Sequence, residues 1–130
     1  MSLSEPTGEH LLLLRGTDWG GDLSPREAQE GLGAFIEWVE SLRAKKLLKA
    51  GQPLSNQGHM VTGVMDGPFV ETKEAVGGYL LLDGLTYEEA IEAARACPLL
   101  KYGMEVEVRP IVGQCDMMVT MNSNYSSASA

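Results

Sequence analysis

Four leucines in succession, Leu11 to Leu14, limit the folds that are open to this chain. Arg15 and Gly16 close the run, which is far shorter than the roughly 20 apolar residues of a membrane-spanning helix. Successive side chains of a β-strand point to opposite faces, so consecutive leucines require apolar cover on both sides. We therefore predict a first strand from His10 to Gly16 that is buried on both faces of a sheet.

A second apolar run, from Gly77 to Leu82, predicts another strand of this kind. Tyr79 and Leu81 would point to one face of the sheet, and Leu80 and Leu82 to the other. Both faces of this strand are therefore apolar, as in the first strand.

The other two predicted strands are less uniform. Residues 51–64 mix polar and β-prone residues and predict an irregular second strand. From Met104 to Ile111 apolar and charged residues alternate, with Val106 and Val108 on one face. The opposite face of this fourth strand would carry the charged side chains of Glu105, Glu107 and Arg109.

Two helix-start signatures separate these strands. Ser24-Pro25-Arg26-Glu27 combines an N-cap serine, a proline and a capping glutamate, and predicts a first helix that continues to Gly51. Thr86-Tyr87-Glu88-Glu89 is a second capping box, and Pro98 marks the exit of its helix. The resulting order, βαββαβ, predicts a ferredoxin-like α+β domain, a single sheet with both helices on one face.

Such a sheet has a second face that no helix of the same domain covers. The apolar runs make this face apolar too, and a large apolar patch on a protein surface usually marks an interface. A two-fold axis lets the patch cover its own copy, so we predict a homodimer formed through the open sheet face.

The composition excludes several classes of function. The chain has 130 residues, enough for one domain, and its 44% hydrophobic and 22% charged residues are typical of globular proteins. Ten Lys and Arg against eighteen Asp and Glu leave a net charge of −8, which disfavours nucleic acids and anionic membranes as partners. We expect a cytoplasmic protein without a signal peptide, because the Leu11–Leu14 run lacks a cationic flank and a cleavage site.

No motif for a metal or a cofactor is recognisable, and we expect neither. The two cysteines, Cys97 and Cys115, are predicted to be free thiols, and the two histidines, His10 and His59, show no ligand spacing. Residues 113–130 end in a Ser-rich tract and are predicted to form a partly disordered tail. The alternative is that the methionines of this tail dock on the body of the protein.

The string Asp66-Gly67-Pro68-Phe69-Val70-Glu71-Thr72-Lys73-Glu74 is the most specific motif of the chain. Gly77-Gly78-Tyr79 and the closing strand Glu105–Pro110 follow it. With these motifs, residues 10–112 resemble the YCII-related family, and specifically its DGPF-motif branch. The resemblance implies a ferredoxin-like domain at residues 1–112 that assembles as a dimeric α+β barrel.

The resemblance implies less about activity. Some relatives are similar to enzymes that act on small aromatic or chlorinated ring compounds, and the centre proposed for the YCII branch pairs an aspartate with a histidine on the first helix. Ala34 stands at about the position of that histidine, so the pair is not carried over, and Asp66 matches the acidic position only loosely. The DGPF branch is also similar to proteins encoded beside extracytoplasmic-function sigma factors, which implies regulation.

A replacement pair of catalytic residues is one hypothesis. His59 precedes Asp66 by a few residues and could approach it across a hairpin, where the imidazole would carry protons near neutral pH. The alternatives are that Asp66 only builds its Asp-Gly-Pro turn and that His59 faces solvent or a backbone partner. His10, at the start of the first strand, and Trp38, off the apolar stripe of the first helix, are expected to be exposed at least in part.

Ligand-binding residues are predicted on or near the strands. Arg15 and Arg109 would orient an anionic group, unless they and the neighbouring glutamates only protect an outer strand from aggregation. Tyr79 would offer a hydroxyl to a pocket unless it belongs to the core. Glu74 is a further candidate through the family string, with a solvated hairpin as the alternative, and Trp19 would cover the cleft.

Two functions are therefore open. The first is an enzyme, a lyase or isomerase that uses His59 and Asp66 to move protons on a small polar or aromatic metabolite in the dimer cleft. The second is a non-catalytic dimeric ligand-binding or regulatory module, which the resemblance would link to a sigma-factor stress response.

Overall fold

The elements follow one another in the predicted order, with some changes of length. The computed structural model describes residues 6–64, 67–68 and 75–113. Its strands are β1 (Pro6–Arg15), β2 (Leu48–Pro53), β3 (His59–Met60), β4 (Gly67–Pro68), β5 (Val76–Leu82) and β6 (Glu105–Val112), and its helices are α1 (Pro25–Ala44) and α2 (Tyr87–Arg95). Two 3₁₀ turns, Trp19–Asp22 and Pro98–Tyr102, precede α1 and β6.

Four strands form one antiparallel sheet in the spatial order β2-β5-β1-β6. β1 lies in the middle, where Leu12 is opposite Leu80 of β5 and Val108 of β6. This order, with two helices packed on one face, is the predicted ferredoxin-like α+β fold. β3 and β4 form a separate two-stranded sheet, so the irregular second strand of the prediction is β2 followed by a small hairpin.

Both predicted capping boxes are present. The Ser24 hydroxyl accepts a hydrogen bond from the Glu27 amide at 3.1 Å, and the Glu27 carboxylate accepts one from the Ser24 amide at 3.2 Å. Thr86 and Glu89 repeat the arrangement at α2, at 3.1 and 2.8 Å. Because these bonds satisfy amides that have no partner in the first turn, they fix where each helix begins.

The end of α1 differs from the prediction. The helix stops at Ala44, and Gly51 lies within β2. Lys46 adopts a positive φ of 61°, and the amides of Lys46 and Leu47 donate hydrogen bonds back to carbonyls of the last helical turn. This is a Schellman motif in which a lysine takes the position that glycine usually occupies, so no glycine marks the end of the helix in the sequence.

Alternate residues of the central strands form the core beneath the helices. Leu12, Leu14, Leu80 and Leu82 are buried on this side of the sheet. They pack against buried residues of the helices and of the segment after α2, namely Trp38, Leu42, Ala94, Cys97, Leu99 and Met104. Cys97 is a free thiol, as predicted, and burial raises its pKa.

Two side chains are more buried than the sequence suggests. Trp38 is only 7% exposed, and its indole Nε1 donates a hydrogen bond to the Ala93 carbonyl at 3.1 Å. His10 is 2% exposed, because β1 begins at Pro6 and neighbouring strands flank His10 on both sides. Its ring stacks on Tyr87 with 6.1 Å between the centroids, and neither ring nitrogen has a hydrogen-bond partner within the described part of the chain.

No helix within the described ranges is long and apolar enough to cross a membrane. Most of the family string, including Asp66 and residues 69–74, lies outside the described residues. Residues 114–130 also lie outside them, so the disorder expected for this tail stays a prediction.

Candidate functional site

The side of the sheet away from the helices is apolar in the middle. We call Leu11, Leu13, Tyr79 and Leu81 the open face, because they alternate with the buried residues of β1 and β5. Leu11 is opposite Leu81, Leu13 is opposite Tyr79, and all four are half-buried. The predicted alternation of the two strands is therefore confirmed.

A cluster of charged residues borders the open face. Nε and Nη2 of Arg15 both donate hydrogen bonds to Oε1 of Glu107, at 3.0 and 2.8 Å. Nη1 of Arg109 donates to the other oxygen, Oε2, at 3.1 Å. These hydrogen bonds, from Arg15 first and Arg109 second, hold the pKa of Glu107 below its usual value. We call the three residues the ionic clamp; its partial exposure means that it orients the two guanidinium groups more than it stabilises the fold.

Three of the predicted ligand-binding residues therefore share one side of the sheet. Arg15 and Arg109 belong to the ionic clamp, and Tyr79 belongs to the open face beside it. The expectation that Arg15 neighbours the glutamates of the last strand is confirmed, since it contacts Glu107.

Of the other predicted site residues, the structure describes only His59. His59 is exposed on β3, where it pairs with Pro68 of β4, in the separate small sheet. Asp66 and Glu74 lie outside the described residues. The approach of His59 to Asp66 therefore stays a prediction.

A cavity of about 360 Å³ lies on the opposite side of the sheet, beneath α1. We call it the α1 cavity. Its walls come from α1, from the paired ends of β2 and β5, and from segments next to β1 and β6. Apolar side chains dominate these walls, among them Trp19, Leu32, Phe35, Val39, Leu99 and Met104.

Glycines at the ends of β2 and β5 leave room for this cavity. Gly51, Gly77 and Gly78 all line it. A β-carbon on Gly51 would lie 2.7 Å from Cδ2 of Leu80, and one on Gly77 would collide with the side chain of Thr17. Larger residues therefore do not fit at these positions, and glycine inside a strand often marks a close approach of backbone or ligand.

Few polar residues line the α1 cavity, and Tyr79, which also belongs to the open face, is one of them. Thr17 and Gln52 line the cavity and are exposed to solvent. None of the described residues that line it carries a charge. A molecule that fits would be apolar over most of its surface, with a hydrogen-bonding group at the mouth.

Sequence reasoning missed this cavity. The expected cleft lay between two sheets, whereas the cavity lies between the sheet and α1. The available signal was the set of small residues near the ends of two strands, Gly77 and Gly78 in one and Gly51 in the other. Only the register of β2 against β5 shows that these residues meet, and that register is not visible in the sequence.

The structure also bears on metal binding. Within the described part of the chain, no three His, Cys, Asp or Glu side chains lie close enough together to hold a metal ion. The residues that line the α1 cavity offer apolar contacts and neutral hydrogen bonds.

The topology and the cavity define a ferredoxin-like α+β domain with an apolar pocket under its first helix. Residues 10–112 match the family of the YCII-related domain. The chain belongs to the YCII-related family, as its motifs implied. Its place in the DGPF-motif branch stays a prediction.

The fold is also similar to that of a solved structure. It is a 5-chloro-2-hydroxyhydroquinone dehydrochlorinase from Burkholderia phenoliruptrix AC1100, in complex with 2,5-dihydroxybenzoquinone. The chains are 18% identical, and the match covers 78% of this chain and 90% of that chain with a TM-score of 0.46. No curated protein matches this chain in sequence.

Proposed function

We propose that this YCII-related protein binds a small, planar, largely apolar metabolite in the α1 cavity. The observation that carries the proposal is an apolar cavity of about 360 Å³ between α1 and the sheet. Small-molecule sites usually measure roughly 300 to 1,000 Å³ and combine apolar walls with a few polar groups. The α1 cavity has both properties.

The walls of the cavity favour a ring system. Trp19 and Phe35 line it, and aromatic side chains bind other rings in offset-stacked or edge-to-face contact. Because the described lining has no charged side chain, a charge carried deep into the cavity would lose its hydration without gaining a partner. A hydroxyl substituent at the mouth could instead bond to Thr17 or Gln52.

Isothermal titration calorimetry with 2-naphthol tests this site. Val39 lines the cavity, so Val39→Phe places a larger ring inside it and should weaken binding about tenfold or more. Ile36→Phe is the matched control, because Ile36 is on the same helix, is 51% exposed and does not line the cavity. Equal affinities of the two variants would contradict the site, and no binding to the unchanged protein would contradict the proposed function.

A second copy of the chain is the partner that we propose for the open face. Leu11, Leu13, Tyr79 and Leu81 form one patch in register on adjacent strands, which a two-fold axis would bring against the same patch of its copy. Tyrosine and arginine are enriched at protein interfaces, and the patch has Tyr79 within it and the ionic clamp beside it. In such a homodimer, an anionic group between the two sheets would lie near the guanidinium groups of the ionic clamp.

Proton transfer is the second candidate function. The observation that favours it is the β3–β4 pairing, which holds His59 opposite Pro68, two positions after Asp66. An exposed imidazole close in the chain to a carboxylate suits general acid–base work on a bound molecule.

Hydrogen exchange separates catalysis from binding alone. If His59 and Asp66 move protons, the protein will accelerate exchange of carbon-bound hydrogen of 2-naphthol with D₂O, and His59→Gln with Asp66→Asn will abolish the acceleration. Binding of 2-naphthol should be the same before and after these changes. Binding without any accelerated exchange would identify a binding module.

A further inference from the structure

We infer that Trp19 limits the size of the ligand that the α1 cavity accepts. Its side chain forms the wall between this cavity and a second depression on the surface. The inference rests on the proposed function of the α1 cavity. The depression measures about 440 Å³ and is bounded by residues 17–21 and by the first turns of α1. Thr17, Trp19 and Leu32 line both spaces, so Trp19 belongs to the partition between them.

Ring contacts fix the position of the indole. It stacks on Tyr102 with 5.6 Å between the centroids and an angle of 22° between the planes. It also lies against Gly31 of α1, where an added β-carbon would be 3.0 Å from Cζ3 and 3.1 Å from Cη2 of Trp19. The same β-carbon would be 3.2 Å from Cδ2 of Leu99, which lines the α1 cavity. The absence of a side chain at Gly31 therefore provides the space that seats the indole at the edge of the cavity.

The backbone around Trp19 contributes less to this position. The 3₁₀ turn Trp19–Asp22 contains no buried residue, and the Asp18 side chain makes no capping hydrogen bond to it. The place of the indole thus depends on Tyr102 and Gly31, and a change at Gly31 should move it.

Removing or moving the indole would join the two spaces. A molecule confined to the α1 cavity in the unchanged protein could then extend into the depression, which is the larger of the two. Trp19 is in this way a specificity-determining residue that admits short ring systems and excludes longer ones.

The test is the ratio of two dissociation constants, for 2-naphthol and for the larger 1-hydroxypyrene, measured by calorimetry. The unchanged protein should prefer 2-naphthol, and Trp19→Ala should shift the ratio toward 1-hydroxypyrene by about tenfold or more, because a steric exclusion is lost. A variant that is merely less well folded binds both probes more weakly by the same factor, so the ratio does not respond to stability alone.

A matched pair of glycines supports the same test without removing the tryptophan. Gly31→Val should displace the indole and shift the ratio in the same direction, by a smaller factor than Trp19→Ala. Gly33→Val makes the same change in the same helix, where an added β-carbon has no heavy atom within 4 Å, and should leave the ratio as it is.

The outcomes separate this inference from the function on which it rests. If the unchanged protein binds 2-naphthol and the ratio stays the same in Gly31→Val and in Trp19→Ala, Trp19 does not set ligand size although the cavity binds. If Trp19→Ala does not fold, the comparison of Gly31→Val with Gly33→Val decides. If the unchanged protein binds neither probe, the proposed function and this inference both fail.

Discussion

The two faces of the sheet are made by the same strands but reach different states of burial. On the helix side, Leu12 and Leu82 are completely buried. On the open face, their chain neighbours Leu13 and Leu81 remain half-buried. The chain thus covers one side of the sheet with its own helices and leaves the other partly exposed, so identical residues one position apart differ in burial.

The two faces also differ in how they treat charge. The α1 cavity has no charged side chain among the described residues of its walls, and the helix side buries the ring of His10 without a hydrogen-bond partner among the described residues. The open face instead has the ionic clamp at its border, where water still reaches the guanidinium groups of Arg15 and Arg109. A charged side chain keeps its hydration at the border of the open face, whereas in the apolar α1 cavity it would lose that hydration without gaining a partner.

The largest expected effect is on the helix side. Leu12→Ala removes a fully buried side chain and should lower the free energy of unfolding by about 2 to 5 kcal/mol, as other core truncations of leucine do. Leu13→Ala is the matched change on the open face and should cost clearly less at low protein concentration. Chemical denaturation followed by circular dichroism measures both values. Equal costs at all concentrations would remove the distinction between the two faces.

The next effect concerns the partner of the open face. If a second copy covers this face, Leu13→Asp places two charges near the two-fold axis and should convert a dimer to a monomer of about 14.0 kDa. Sedimentation velocity at micromolar concentration measures the change. Ile36→Asp adds the same charge at a residue that is 51% exposed on α1 and should leave the dimer intact. A monomeric unchanged protein would contradict the homodimer.

A smaller effect is expected at His10. Because neither ring nitrogen has a hydrogen-bond partner among the described residues, His10→Leu removes two unsatisfied polar atoms and keeps an apolar contact with Tyr87. The change should be neutral or should raise the free energy of unfolding by about 1 kcal/mol. Thermal denaturation of the two proteins tests this. A clear loss of stability would show that the imidazole has a partner after all, and Tyr87→Leu, which leaves the ring nitrogens in place, is the control for lost stacking.

The parts of the structure that depend on local chemistry could be predicted from the sequence. Alternation in β1, β5 and β6 follows from the two-residue period of a strand, and the beginnings of both helices follow from their capping boxes. The contact of Arg15 with the last strand could also be predicted, because the order βαββαβ places the first and last strands side by side.

Other parts could not be predicted, either because residues far apart in the chain meet or because a residue adopts an unusual backbone conformation. Trp38 lies off the apolar stripe that the sequence predicts for α1, but the helix buries the face of Trp38 and Leu42, where the Trp38 indole donates a hydrogen bond to Ala93 of α2. The end of α1 was missed because Lys46 adopts a conformation that usually requires glycine. The α1 cavity arises where Gly51 of one strand meets the glycines of another, and such a meeting has no signature within either segment.

The smallest expected effect is the pH dependence of the ionic clamp on the open side. Hydrogen bonds from Arg15 and then Arg109 lower the pKa of Glu107 below its ordinary value of 4.5. A carboxyl whose pKa is lower in the folded state stabilises that state fully above its unfolded pKa, and the stabilisation is lost as the pH falls through the folded pKa. The free energy of unfolding should therefore decrease below pH 4.5, and Glu107→Gln should remove part of that decrease.

Because the clamp is partly exposed, the effect should shrink further in high salt. Urea denaturation at a series of pH values measures the slope, with Glu88→Gln on α2 as the control for the change in formal charge. An identical slope in the Glu107→Gln protein would mean that the clamp orients its arginines without contributing to the stability of the open side.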